Sequence, residues 1–312
     1  MNKPNFFIVG APKCGTTALS EYLREHPSIY ISEPKEPHYF TFDFEQYRVT
    51  KTWSEYLSLF KQSTSEQTAI GEGSVFYLCS TVALEKIKEY DPQAKIIVML
   101  RNPVDMIYSF HSQLVFTADE TEKNFEKAWR LQAIRQQGTQ IPAQCREAAF
   151  LQYAEMGKLG EQVERLQAVF PPEQVKIILF EDFIKSTQDV YNEVLSFLDV
   201  SSDGRTEFIR INENKSHKMG VVGNFTAKPP ALLTNVALKA RDMLGIKELG
   251  ILDTIRSLNT KVAAREPLSD SLRAEMTEEF APDIQKLARL INRDLSHWSI
   301  AKPSNKPAEL ER

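Results

Sequence analysis

Phe6-Phe7-Ile8-Val9-Gly10-Ala11-Pro12-Lys13-Cys14-Gly15-Thr16-Thr17-Ala18-Leu19 decides how this chain is read. A short apolar run stops at Gly10. A loop with a lysine leads to a second glycine, Gly15. Thr16 and Thr17 then open a run with apolar residues at helical spacing, Leu19, Tyr22 and Leu23, which Pro27 ends. The pattern is strand, tight loop, helix N-terminus. In such a loop the backbone N–H groups converge, the helix dipole favours negative charge, and a lysine adds a point charge. The stretch therefore predicts an anion cradle for a phosphate-bearing ligand.

The loop is close to a Walker A loop without being one. That motif, G-x-x-x-x-G-K-[ST], puts its lysine directly after the second glycine. Here Gly10 and Gly15 have the right separation, but Thr16 follows Gly15 and the lysine stands earlier, at Lys13.

Further strands surround this one. Lys95-Ile96-Ile97-Val98-Met99-Leu100 is a continuous apolar run, as expected of a parallel sheet covered on both faces. It ends in Arg101-Asn102-Pro103, with Asn102 a good N-cap and Pro103 a good first helical residue. The helix that follows turns Val104, Ile107 and Leu114 inward and carries Ser109 about two turns in. An arginine at the carboxyl end of a strand lies where open α/β sheets bind ligands. Ile29-Tyr30-Ile31 is a shorter strand, followed by Ser32-Glu33-Pro34-Lys35-Glu36-Pro37-His38-Tyr39-Phe40. Two prolines bracket Lys35-Glu36 and predict a stiff, extended loop. Val175-Lys176-Ile177-Ile178-Leu179-Phe180 is another buried strand, followed by Glu181-Asp182. That pair mimics a Walker B end, but reads more simply as a cap for a helix over Tyr191 to Leu198 or a turn before it.

Between these pieces the chain is mostly helical. Trp53, Tyr56, Leu57 and Phe60 form a core stripe, and Thr81 to Tyr90 is a helix stopped by Asp91-Pro92. Residues 117–148 are charged and helix-prone, anchored by Phe125 and Trp129. Tyr153 to Phe170 reads as one amphipathic helix, and Leu268 to Trp298 as an amphipathic helical segment. Ile211 to Gly220 is polar and basic and reads as a loop. Residues 229–262 read as a packed helix, and 301–312 as a fraying tail.

Composition narrows the function. With 312 residues, 42% hydrophobic and 26% charged, this is an ordinary globular chain with room for a sizeable core. A net charge of −4 argues against a bulk nucleic-acid binder. No stretch has the length of a membrane span and no secretory leader is visible. The three cysteines, Cys14, Cys79 and Cys145, include no C-x-x-C and predict reduced thiols in a cytoplasmic setting, with Cys14 as a small filler of its loop. His26, His38, His111, His217 and His297 have no metal-ligand spacing, so no metal is expected.

With these pieces in place, the chain resembles the sulfotransferases that use 3′-phosphoadenosine 5′-phosphosulfate (PAPS). It is similar in style to the branch of heparan-sulfate sulfotransferases and their bacterial relatives. The resemblance rests on Val9 through Thr17, on Lys35-Glu36-Pro37-His38-Tyr39-Phe40, and on Arg101-Asn102-Pro103 through Ser109, each after a strand and in the family's order. It covers most of residues 5–200 and Arg265 to Trp298. It implies an α/β, P-loop-like three-layer fold with a central, mostly parallel sheet flanked by helices. A single domain over 1–300, with a variable helical insertion near 221–262, is expected.

The resemblance also implies roles. Pro12, Lys13, Cys14, Gly15, Thr16 and Thr17 bind the 5′-phosphosulfate, and Arg101 and Ser109 grip the 3′-phosphate. Lys215 and Lys218 stand for a late basic loop over the cofactor. Glu36 is the general base, with His38 as the alternative, and Lys13 stabilises the leaving phosphate without obligatory Mg²⁺. The acceptor is a glycan, a lipid or a small metabolite. Two features depart from the family pattern. Gly157 is followed by Lys158-Leu159 where many members have Gly-x-Tyr, and no cysteine follows Cys145 to form the late disulfide of Golgi members. The rival reading, a P-loop kinase or nucleotide hydrolase, needs a lysine after Gly15 and a metal.

Overall fold

A computed structural model describes residues 3–209, 211, 215–217, 260–262 and 267–300. The chain divides into two compact units. The first comprises Met1–Ile107, Tyr153–Ile211 and Ser269–Pro303; the second comprises Tyr108–Gln152, Asn212–Leu268 and Ser304–Arg312.

The first unit is built on five parallel strands: β1 (Phe6–Gly10), β2 (Ile29–Ile31), β3 (Ala69–Glu72), β4 (Lys95–Leu100) and β5 (Val175–Leu179). Their order is β2-β3-β1-β4-β5. Every residue of β1 is buried, which is why Phe6-Phe7-Ile8-Val9 shows no alternation of apolar and polar positions. Because all strands run the same way, the segments after β1, β2, β3, β4 and β5 leave from one edge of the sheet. The chain moves from β1 out to β2, returns through β3, and crosses to β4, so connections diverge around the end of β1. Ligands of open α/β sheets bind at such a point.

The helices are α1 (Thr16–Arg24), α2 (Trp53–Ser58), α3 (Ala83–Tyr90), α4 (Pro103–Phe116), α5 (Phe125–Arg130), α6 (Gln132–Gln136), α7 (Tyr153–Met156), α8 (Leu159–Val169), α9 (Phe180–Lys185), α10 (Thr187–Phe197) and α11 (Asp270–Leu290). In α4 the side chain of Asn102 accepts from the Val104 N–H at 2.9 Å, the cap its sequence predicts. Leu272, Met276, Phe280, Ile284 and Leu287 form the buried stripe of α11.

The structure departs from the sequence pattern in three stretches. Tyr153 to Phe170 is two helices, α7 and α8, broken at Gly157-Lys158. The break has a cause in α11. The Phe280 ring packs so closely on Gly157 that a Cβ there would meet it at 2.3 Å. Asp283 then caps α8, accepting from the N–H groups of Gly160 at 2.6 Å and Glu161 at 2.9 Å. Glu181-Asp182 caps neither a turn nor a helix at Tyr191; it forms the first turn of α9, and the next helix starts earlier, at Thr187. Its carboxylates are engaged by the C-terminal segment: Glu181 accepts from His297 Nε2 at 3.0 Å and Trp298 Nε1 at 2.7 Å, and Asp182 pairs with Arg293 at 2.8 Å. Lys215–His217, within the expected loop, is a strand, β6, antiparallel to β7 (Thr260–Val262). Its partner lies more than forty residues away, beyond the reach of a local pattern. The rest of the expected helix over 229–262 and the tail lie outside the described residues.

In the second unit, Phe125 and Trp129 are buried as anchors. Beside them Arg135 forms a buried bidentate pair with Glu120, at 2.6 and 2.8 Å, and Arg146 grips Asp119. A buried pair of this kind destabilises chiefly when one partner is removed and the other is left uncompensated.

Candidate active site

The loop after β1 is shaped by its glycines. Gly15 is the N-cap of α1, with φ +91°, a conformation that side chains rarely adopt. A Cβ there would also stand 3.1 Å from the Phe180 ring. Because the cap is a glycine, no side chain satisfies the first N–H groups of α1, and its first turn holds no acidic residue. That helix end is open to an anion. Lys13 sits at the apex with φ +63°, half-buried. Pro12, Cys14 and Thr16 are buried, while Gly15 and Thr17 are half-buried.

Cys14 is a filler. Burial pushes its thiol up to about 12, against the pull of Arg101 and Lys13, so it stays protonated and unreactive. Its Sγ donates to the Pro12 carbonyl at 3.4 Å.

Arg101, at the end of β4, reaches this loop. Its Nη1 donates to the Lys13 carbonyl at 3.4 Å, and its guanidinium lies over the Phe180 ring at 4.8 Å. The ring fixes the plane of the fork. Ser109, buried two turns into α4, belongs to the second unit, as does Lys215 in β6; Lys218 lies outside the described residues.

The loop after β2 carries Lys35, Glu36 and His38. Lys35 Nζ donates to Glu36 Oε1 at 2.8 Å, and His38 Nε2 lies 3.2 Å from Glu36 Oε2. Burial opposes the charge on Glu36, but Lys35 and His38 outweigh it and pull the carboxyl down to about 2. It is ionised at neutral pH, with 36% of its side-chain surface open to solvent. His38 itself is buried, stacked on Phe76 at 5.0 Å, and its Nδ1 has no hydrogen-bond partner. The tautomer that suits this arrangement carries its proton on Nε2, facing Glu36.

The end of β3 joins the two loops. A Cβ on Gly73 would lie 3.1 Å from Ser20 Oγ of α1 and 3.3 Å from Lys35 Cε, so the β1 loop's helix and the β2 loop meet over this glycine. Next to it stands Glu72, wholly buried at the end of β3, a residue the sequence pattern does not single out. Burial pushes its carboxyl up to about 7, against three hydroxyl donors, Ser74, Tyr77 and Tyr56, and with the charge of Glu36 adding to the rise. Both phenols are themselves pushed well above their ordinary value by burial and by Glu72, so they remain donors. A lone carboxylate inside an apolar strand, followed by hydroxyl-bearing Ser74 and Tyr77, is the signal that was available. Among the described residues, no group of three or more His, Cys, Asp or Glu is placed to hold a metal ion, and no helix is long and apolar enough to cross a membrane.

The sulfotransferase domain family matches residues 3–219, and the chain belongs to that family. A sulfotransferase of known structure from Alicyclobacillus acidocaldarius is 30% identical, covers 96% of this chain and all of its own, and superposes with a TM-score of 0.69. Carbohydrate sulfotransferase 15 of Rattus norvegicus is 34% identical over 147 residues, 34% of this chain and 26% of its own length. The bifunctional heparan sulfate N-deacetylase/N-sulfotransferase 3 of Homo sapiens is 29% identical over 201 residues, 63% of this chain and 22% of its own. The chain thus spans about a quarter of these curated relatives.

Proposed function

We propose that the protein transfers a sulfuryl group from PAPS to a hydroxyl or amine of a glycan acceptor. The observation that carries this reading is the convergence, at one sheet edge, of an uncapped helix N-terminus with Lys13 and Arg101 and of an ionised, part-exposed Glu36. The names of the relatives favour a glycan among the acceptor classes, and cysteines that form no disulfide among the described residues suit a reducing, cytoplasmic compartment.

The residues fit an anionic donor. When bound, PAPS supplies a sulfuryl group already activated by a phosphate leaving group. The N–H groups at the start of α1, with the Thr16 and Thr17 hydroxyls, face developing negative charge, and Lys13 neutralises the leaving oxygen. Arg101 offers two parallel donors to a phosphate. Glu36 accepts the acceptor's proton as the new S–O or S–N bond forms. Each carboxylate oxygen keeps a lone pair beyond those used by Lys35 and His38. An anion arriving nearby disfavours the charged carboxylate and so raises its proton affinity. His38 is the weaker candidate: its Nε2 proton already faces Glu36, and its Nδ1 is buried against aromatic rings. Ser109, Lys215 and Lys218 enter through the family resemblance alone.

Adenosine 3′,5′-bisphosphate (PAP) should raise the melting temperature in the presence of EDTA, and Arg101→Ala should weaken its binding about 10- to 100-fold, the range expected for losing charge-assisted bonds of roughly 1.5–3 kcal/mol. Stabilisation by ATP with Mg²⁺ alone, and none by PAP, would favour a kinase or hydrolase instead.

A further inference from the structure

Glu72 has no place in the chemistry above, yet the loop that carries Glu36 is tied to it twice. The His38 N–H donates to Ser74 Oγ at 2.9 Å, and that hydroxyl donates to Glu72 Oε2 at 2.5 Å. The Phe40 N–H donates to Tyr77 Oη at 3.3 Å, and that hydroxyl donates to Glu72 Oε1 at 2.6 Å. A backbone N–H only donates, and each hydroxyl has one proton to pass on, so both chains run from the loop into the carboxylate. Tyr56, from α2, donates to the same Oε1 at 3.3 Å. Two further bonds pin the near end of the loop: the Gly73 N–H donates to the Lys35 carbonyl at 3.0 Å, and Lys35 Nζ donates to the Gly73 carbonyl at 3.4 Å. Glu36 thus lies between anchored residues 35 and 38.

We propose that Glu72 is a positioning residue: as the common acceptor of two hydroxyl relays, it fixes the loop over residues 35–40 and with it the Glu36 carboxylate. The inference rests on the reading of Glu36 as the base. A buried carboxyl is costly, and an apolar residue would fill the space. What an apolar residue does not offer is an acceptor for Ser74 on one side and for Tyr77 and Tyr56 on the other. Glutamine keeps the volume but turns one acceptor oxygen into a donor, so on that side the hydroxyl loses the acceptor for its proton and the bond to residue 72 must reverse.

The test compares wild type with Glu72→Gln, Ser74→Ala, Glu36→Gln and the double variant Glu36→Gln/Glu72→Gln, all in the full chain. Transfer is followed with ³⁵S-labelled PAPS and desulfated heparan sulfate. Binding of PAP is followed by calorimetry, and exchange of the backbone amides of residues 35–40 by mass spectrometry. Glu72→Gln and Ser74→Ala are each expected to lower kcat about 10- to 100-fold, the scale of a misplaced catalytic group. PAP affinity should stay within twofold, and exchange should rise in residues 35–40 while the strands keep their protection. The double variant should be no slower than Glu36→Gln, because both act through one group. Wild-type exchange over 35–40 in both relay variants, or multiplicative losses in the double variant, would overturn the proposal. So would a lower melting temperature with kcat unchanged. Ser74→Ala keeps the test open if Glu72→Gln does not fold. A Glu36→Gln enzyme as fast as wild type would remove the base assignment and this inference with it, whereas unprotected amides in wild type would remove the inference alone.

Discussion

Replacing Glu36 with glutamine should lower turnover by roughly 10²–10⁴-fold while PAP binds as before, the size of effect expected for losing a positioned general base. The amide keeps the shape and can still accept from Lys35, but it has no proton affinity to offer an attacking hydroxyl. On the proposed reading binding survives, because the donor's charge would be met by α1, Lys13 and Arg101 rather than by Glu36. Steady-state kinetics beside calorimetry with PAP separate the two effects; a parallel loss of both would mean that the loop, and not the base, had been damaged. The same variant carries a stability signature. The Glu36 carboxyl is lowered from 4.5 to about 2 on folding. Its stabilising pairs with Lys35 and His38 are therefore in full force above pH 4.5 and are lost as pH falls toward 2. The stability gap between wild type and Glu36→Gln should narrow over that window in urea titrations.

The second large effect is structural. Gly10→Ala should destabilise the protein by roughly 2–6 kcal/mol, adding about 1–3 for backbone strain and about 1–3 for overpacking. Gly10 has φ +151°, and a Cβ there would lie 2.8 Å from the Val75 carbonyl and 2.8 Å from Leu78 Cβ. The segment cannot simply retreat, because the Leu78 N–H donates to the Val9 carbonyl at 2.9 Å. On the other side the Ala11 N–H donates to Met99 at 2.7 Å. Relief must therefore come from prising the 75–78 turn off β1, which also carries the Tyr77 hydroxyl away from Glu72. A urea midpoint within experimental error of wild type would show that the close approach is not there.

What the sequence made legible follows from what is local. The runs at β1 and, after Lys95, β4 are apolar because those strands are buried, whereas β5, at the edge of the sheet, carries Lys176 and is buried only at Ile178 and Leu179; such runs need no partner to be recognised. The helix start at Thr16, the cap at Asn102 and the loop lysine are likewise written in adjacent residues. Lys13, Glu36 and Arg101 gained their roles from resemblance to a family, and the fold places the ends of their strands on one edge. What stayed hidden depends on residues far apart in the chain. The break at Gly157 is imposed by Phe280 and Asp283 of α11. Lys215–His217 becomes a strand only against Thr260–Val262. Glu72 looks like a polar strand end until Tyr56, Ser74 and Tyr77 close around it. Glu181-Asp182 resembles a metal-binding pair until His297, Trp298 and Arg293 occupy it.

The central claim is sulfuryl transfer from PAPS, and the most direct measurement is the fate of the label. The protein is incubated with ³⁵S-labelled PAPS in EDTA, together with glycan, lipid and small-metabolite fractions of the source cells. The account predicts ³⁵S in the glycan fraction, one PAP released for each label transferred, and no transfer by Glu36→Gln above roughly one part in a hundred of the wild-type rate. Label that stays in PAPS against every fraction, while γ-³²P passes from ATP with Mg²⁺, would contradict it.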